Sequence, residues 1–416
     1  MERLSATYLI ETPGDLAAAA ASLAGEQSSG TFVAVPGETA ELKQRFAARV
    51  EKITELETVT APSIPTGRAA ASRYRRAEVV VSWPVENFGF NLPALVSTIQ
   101  GNLYELPQFS GLKLLHFELP ASYATHFRGP NFGVAGSRRL TGVAKGPLIG
   151  TIIKPSVGLT VEQTAELVGK LVEAGIDFIK DDELMADPPH SPFDARVDAI
   201  MRVINRHADR TGKKAMYAFN ISDELDPMLR HYEKVVAAGG TCAMVSVNSV
   251  GLSATKKICD LGKLAIHGHR NGWGMLNRHP LLGMEFAAYQ KLWRLAGVDQ
   301  LHVNGIANKF WESDDSVVRS IEACLVPLLG STILPVVSSG QWGGQAPETF
   351  RRTKTTDLLY MAGGGIMAHP DGPAAGVRSL RTWWEAAVEG LTSGQSVAKY
   401  PELAKSVAKF GNKEKA

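Results

Sequence analysis

Ala174-Gly175-Ile176-Asp177-Phe178-Ile179-Lys180-Asp181-Asp182-Glu183 opens as an apolar run and closes on one lysine and three carboxylates. The apolar part reads as a short buried strand. Charged groups are almost never fully buried unless they are paired or bind metal, so the charged end belongs at a strand's mouth. Strand side chains alternate between faces, which turns Lys180 and Asp182 the same way with Glu183 beside them. Clustered carboxylate oxygens are the ligands that a hard divalent cation such as Mg²⁺ takes. A solvated strand end would carry the same residues, so the stretch has to be read with its surroundings.

Those surroundings are periodic. Apolar runs fall at Leu148–Ile153, Ile176–Ile179, Ala215–Phe219, Cys242–Val247, Leu264–Ile266, Gln300–Val303, Ile333–Val337 and Asp357–Met361. Between most of them lie segments of helical period: Val161–Glu173, Asp194–Thr211, Asp223–Ala238 and Ser316–Leu329. Eight strand-helix units make a closed (β/α)8 TIM barrel, the predicted fold of residues 126–416; an open doubly wound sheet is the competing arrangement.

A barrel of this kind carries its chemistry at the carboxyl ends of its strands. Here those ends read Lys154, then Lys180 with Asp182 and Glu183, then Asn220 and Asn248. His267-Gly268-His269-Arg270 follows, then His302 with Lys309 after a short loop. The last two are Ser338-Ser339-Gly340 and Gly363-Gly364-Gly365. Asp182 and Glu183 suit Mg²⁺, and His269, Arg270 and His302 suit binding oxygens or carrying protons near neutral pH. The Ser-Ser-Gly and Gly-Gly-Gly turns suit a phosphate held by backbone N–H groups. His267 reads as a hydrogen-bonded interior histidine, and Trp273 and Trp342 read equally as packing or pocket wall.

Upstream, residues 1–125 predict a separate α+β domain. Strands are expected at Leu4–Ile10, Thr31–Val35, Arg75–Trp83 and Leu112–Leu119, and helices at Pro13–Leu23, Leu42–Val50 and Leu92–Leu103. Gly129-Pro130-Asn131-Phe132-Gly133 reads as a connector. The lysine-rich last twenty residues read as a terminal helix or tail. With 44 basic and 42 acidic residues in 416, a net charge of +2 gives no electrostatic case for nucleic acid or an anionic membrane surface. Three scattered cysteines and no apolar run of transmembrane length predict a soluble cytoplasmic protein.

Gly150-Thr151-Ile152-Ile153-Lys154-Pro155, Lys180-Asp181-Asp182-Glu183, His267-Gly268-His269-Arg270, Pro335 to Gly340 and Gly363 to Pro370 resemble, in order, the large subunit of ribulose-bisphosphate carboxylase. Glu26-Gln27-Ser28-Ser29-Gly30-Thr31 resembles that family's N-terminal site segment. The resemblance implies a ferredoxin-like N-terminal domain and a Lys180 carbamylated by CO₂ that binds Mg²⁺ with Asp182 and Glu183. It also implies Glu26 and Thr31 reaching the site of a second subunit, in a homodimer or an assembly of dimers with shared sites.

Departures narrow the function. Ser156 stands where the carboxylase carries a second lysine, Trp273 where it has a third histidine, and Phe32 where it has tryptophan. The catalytic asparagine of the N-terminal domain falls on Ala94, with Asn91 nearby. Lysine to serine removes a charge and its reach. The chain therefore resembles RuBisCO-like proteins that are not carboxylases but keep Mg²⁺-dependent enediolate chemistry on a sugar phosphate. The expected reaction is decarboxylation of a 3-oxo sugar-acid phosphate of the 3-oxo-isoapionate 4-phosphate type, with Lys154 or Lys309 protonating carbon. The alternatives are an enolase or isomerase of a 5-methylthio-sugar phosphate in methionine salvage, and a sugar-phosphate sensor without catalysis.

Overall fold

The computed structural model describes residues 2–30, 35–65 and 71–411. Contacts divide the chain into two units, one of residues 1–128 and 272–295, the other of residues 129–271 and 296–416.

In the first unit, strands β1 (Arg3–Thr12), β2 (Arg49–Val59), β3 (Tyr74–Pro84) and β4 (Gly111–Glu118) lie in the order β4-β1-β3-β2. All three of these pairings are antiparallel, and helices Leu16–Glu26 and Leu92–Ile99 fill the connections of a ferredoxin-like fold. On β1, Leu4, Ala6, Tyr8 and Ile10 alternate inward and are buried. Two expectations need correction. The helix predicted over Leu42–Val50 spans Ala40–Phe46, and the chain then enters β2, a strand not predicted at all. β2 is an edge strand without a buried face, so it lacks the apolar alternation that announces a strand; its partner β3 creates it. The strand predicted over Thr31–Val35 falls mostly on residues 31–34, outside the described residues.

A fifth strand of this sheet comes from far along the chain. Leu282–Met284 pairs parallel with β4, so the single boundary expected between residues 125 and 126 is crossed a second time. Lys113, on β4 and 2% exposed, explains the attachment. Its ammonium donates to Asn277 O at 3.1 Å, Asn277 Oδ1 at 2.7 Å and His279 O at 3.0 Å, and pairs with Glu285 at 3.0 Å. Lys113→Met is expected to cost about 3 kcal/mol, because buried acceptors lose a charged partner; an earlier urea transition of the full chain is the readout.

The second unit is the barrel. Its strands are β5 (Leu148–Ile152), β6 (Phe178–Lys180), β7 (Met216–Asn220), β8 (Cys242–Ser246) and β9 (Ala265–His269). Counting Leu282–Met284 as β10, they continue as β11 (Gln300–Asn304), β12 (Leu334–Ser338) and β13 (Leu359–Met361). Among the described residues the eight form one closed parallel barrel, β5 pairing with β13. Each lies on one of the predicted apolar runs, because strands covered on both faces are apolar throughout. Leu148, Phe178, Met216, Met244, Leu334, Val336 and Leu359 fill the interior. Asp177, the charge within the opening run, is fully buried at the start of β6 and held by Lys213 at 2.7 Å and Arg381 at 3.0 Å. Among the outer helices, Val161–Glu173 starts on a capping box formed by Thr160 and Gln163. No helix among the described residues is long and apolar enough to cross a membrane.

Candidate active site

Three barrel strand ends bring the lysines and acids together. Lys154, just past β5, places Nζ 2.6 Å from Asp182 Oδ2 and 2.7 Å from Ser156 Oγ. Lys180, the last residue of β6, is 1% exposed; its Nζ donates to Asp181 O at 2.9 Å and lies 3.4 Å from Glu183 Oε2. His269, ending β9, sets Nε2 3.4 Å from the same Glu183 oxygen. Burial pushes the Lys180 amine down from the ordinary lysine pKa, and Glu183 and Asp182 only partly oppose it. Burial also works against ionisation of Glu183, yet Lys180 beside it leaves the carboxyl below its usual range.

The third acid serves another purpose. Asp181 points away from the lysines, accepts from Tyr217 OH at 2.6 Å and from Asn220 N at 3.0 Å, and pairs with the buried Arg196 at 3.4 Å. Asn220 Nδ2 in turn holds the carbonyls of Asp182 and Glu183, at 3.3 and 3.2 Å. Both fasten the acidic turn from behind. In the sequence Asn220 was marked only as a polar strand end, and Asp181 only by falling on the opposite strand face from Lys180 and Asp182.

The histidines form one group. The rings of His269 and His302 are tilted against each other with centroids 4.4 Å apart, and His267 Nε2 lies 2.8 Å from His302 Nε2. His267 is the interior, hydrogen-bonded histidine that the sequence suggested. Burial depresses the pKa of all three well below the ordinary histidine value, with Lys180 adding to the effect. Arg270 is buried in an ion pair with Glu312 at 3.1 Å, and Glu312 also accepts from Asn304 and Ser316.

Ser338, Ser339 and Gly340 close β12. Ser339 is in the left-handed region at φ 75°, unusual for a residue with a side chain, and its hydroxyl donates to Asn304 Oδ1 at 2.6 Å. Lys309 is anchored through its backbone N–H to Ser339 O at 3.1 Å; its amine is exposed and sits over the Phe310 ring. Gly363 and Gly364 open a short helical turn, Gly364–Met367. A Cβ on Gly363 would lie 3.7 Å from Lys154 Cε, so this turn borders the lysine.

Other predicted contributors sit in the first unit. Glu26 is exposed at the end of its helix, and Thr31 lies outside the described residues. Asn91 caps helix Leu92–Ile99 by accepting from Ala94 N at 3.0 Å. Trp273, a candidate pocket wall, packs on Phe286 and Tyr289; Trp342, in the second unit, packs on Trp383 and Phe410.

Comparison with known proteins agrees with this geometry. The sequence profile of the ribulose bisphosphate carboxylase large chain, catalytic domain, matches residues 133–410, and that of its N-terminal domain residues 4–123. The chain is 54% identical to a 3-oxo-isoapionate-4-phosphate transcarboxylase/hydrolase of Xanthobacter autotrophicus, over 97% of this chain and 98% of that protein. It is 48% identical to a 3-oxo-isoapionate-4-phosphate decarboxylase of Rhizobium rhizogenes, over 98% and 99%. The crystal structure of a rubisco-like protein from Burkholderia fungorum superposes with a TM-score of 0.92 at 47% identity, covering 99% of this chain and all of that one. With a two-domain match in sequence and a closed barrel whose mouth joins Lys154, Lys180, Asp182, Glu183 and His269, this chain belongs to the ribulose bisphosphate carboxylase large-chain family, on its RuBisCO-like branch.

Proposed function

We propose that this chain is a Mg²⁺-dependent decarboxylase of a 3-oxo sugar-acid phosphate of the 3-oxo-isoapionate 4-phosphate type. The observation that carries this reading is the Lys154 amine, tethered at the barrel mouth between Asp182 and Ser156. It is a proton donor beside the acids, with serine in place of a second lysine.

The donor set fits the metal. Among the described residues no three His, Cys, Asp or Glu side chains stand together as a metal site. Asp182 and Glu183 supply two carboxylates, and carbamylation by CO₂ would turn the Lys180 amine into a third anionic oxygen donor, as a hard cation requires. The depressed pKa of Lys180 favours the free amine, whose nitrogen attacks CO₂ and loses a proton to give the carbamate. When bound, Mg²⁺ would supply Lewis-acid polarisation of the substrate's carbonyl.

The protein's own residues do the rest. Decarboxylation breaks the bond between the carboxylate carbon and its neighbour, and the electron pair moves into the adjacent carbonyl to leave an enediolate. Lys154 Nζ then gives one proton to the carbon that lost CO₂. Asp181, Arg196 and Asn220 keep the acidic turn in place, and backbone N–H groups of the Ser339-Gly340 and Gly363-Gly364 turns suit the phosphate. In this reading Glu26 comes from a second copy of the chain, so a homodimer is the smallest complete unit. Three free, buried cysteines suit a reducing cytoplasm.

Transcarboxylation followed by hydrolysis is the second reading, favoured by the name of the 54%-identical relative. It breaks the same bond and differs in the fate of the carboxyl group. The test is NMR of the enzyme with Mg²⁺, bicarbonate and 3-oxo-isoapionate 4-phosphate in D₂O. The expected result is CO₂ release with one deuterium on the new carbon–hydrogen bond. Cleavage to carboxylic acids without free CO₂ would assign the second reading. An untouched oxo acid alongside deuterium exchange into a methylthio-sugar phosphate would overturn both.

A further inference from the structure

The barrel interior holds a row of polar side chains that the proposed reaction leaves unexplained. Gln300 and His302 turn inward together on β11, as His267 and His269 do on β9. His267 Nδ1 lies 2.9 Å from Gln300 Oε1, His267 Nε2 2.8 Å from His302 Nε2, and His302 Nδ1 3.1 Å from Ser338 Oγ. At the inner end Gln300 Nε2 lies 3.0 Å from Ser137 Oγ and 3.3 Å from Met216 Sδ. Every member is buried.

Two neutral imidazoles in contact share a single hydrogen, so the direction of the whole row follows from whichever end is fixed. Sulfur fixes the Gln300 end. A thioether accepts hydrogen bonds and has none to give, so the amide nitrogen faces Met216 and Ser137 and the amide oxygen faces His267. His267 therefore carries its hydrogen on Nδ1 and accepts at Nε2. His302 donates from Nε2 and turns a bare Nδ1 toward Ser338. The Ser338 hydroxyl hydrogen then goes to that nitrogen and not to the carbonyl of Val303, 3.2 Å away. Burial of both rings favours their neutral form.

We propose that Gln300 is a positioning residue that sets the tautomers of His267 and His302, so that Ser338 accepts a hydrogen bond from a substrate hydroxyl and donates none to a phosphate oxygen. Ser338, grouped by sequence with the phosphate turns, thereby becomes a reader of a hydroxylated carbon. The backbone of Ser339-Gly340 and Gly363-Gly364 is left for the phosphate. The identity of the hydroxylated ligand rests on the sugar-phosphate reading; the tautomers do not.

The experiment is long-range ¹H–¹⁵N correlation of the full-length, ¹⁵N-histidine-labelled protein without substrate, with signals assigned by their loss in His267→Gln and His302→Gln. The expected result is His267 protonated on Nδ1 and His302 on Nε2. Gln300→Leu should mix the tautomers, and Gln300→Glu, which still accepts from Nδ1–H, should restore them. With substrate, Gln300→Leu should raise KM by roughly tenfold, about one hydrogen bond's worth, with kcat nearly unchanged. His302 protonated on Nδ1 in the unaltered protein overturns the proposal, and that spectrum requires no variant to fold. Unchanged tautomers in Gln300→Leu also overturn it. Correct tautomers in a protein inactive on the oxo acid would instead reject the reaction and leave Gln300's role standing.

Discussion

Lys180→Ala is expected to lower Mg²⁺-dependent turnover by at least about 10³-fold, since each 1.36 kcal/mol of lost transition-state stabilisation is a factor of ten and a bound ion supplies several. The reason is local. Lys180 is the last residue of β6, 1% exposed, with its amine against Asp181 O and Glu183 Oε2. On the proposed reading Asp182 and Glu183 alone would be two ligands, and no other carboxylate or imidazole completes a group of three among the described residues. Alanine removes the amine that lies against Asp181 O and Glu183 Oε2 and that would become the third donor. Two measurements check this: Mn²⁺ binding followed by electron paramagnetic resonance, and the ¹³C signal of a carbamate after incubation with labelled bicarbonate. Both should be present in the unaltered protein and lost in Lys180→Ala. Full turnover in the variant would reject the carbamate reading. Intact sugar-phosphate binding with no turnover in either protein would favour the sensor.

Lys154→Met is expected to reduce product formation by about 10² to 10³-fold, within the range for loss of a positioned general acid. Methionine keeps the length of the stem and removes the proton. Lys154→Arg separates the two functions of the side chain. A guanidinium keeps the ion pair with Asp182 but does not give up a proton near neutrality, so it should restore stability lost in Lys154→Met without restoring turnover. In D₂O the unaltered enzyme should place deuterium on one face of the product carbon. In Lys154→Met the residual product should carry it on both faces, because solvent then delivers the proton. A stereospecific product from Lys154→Met would move the donor role to another group, with Lys309 the first to examine. Its amine is exposed and rests on the Phe310 ring, so it would have to leave that ring to reach the acids.

The barrel was legible because a strand covered on both faces is apolar along its length. Charge at the end of such a run, as in Phe178-Ile179-Lys180-Asp181, marks the mouth wherever the strand lies in space. Lys154, Lys180, Asp182, Glu183, His269 and His302 were read as candidates that way, and the structure draws them into one cluster. β2 was not legible, since an edge strand exposed on both faces carries no alternation and exists only because β3 pairs with it. Nor was Leu282–Met284, whose three residues join the first unit through β4 and the Lys113 ammonium, far away in sequence.

Within the site the same division holds. Residue type and strand period determined which side chains share a face, as with Lys180 and Asp182. They did not determine that Asp181 turns to Arg196 and Tyr217 while Asp182 turns to Lys154, that Arg270 is held by Glu312, or that Asn91 caps a helix. Hydrophobic burial is written along the chain as a period, so the sequence by itself sets the strands and their inward faces. A hydrogen bond or ion pair depends on distances of about 3 Å between residues far apart in sequence, so only the tertiary structure decides which donor meets which acceptor.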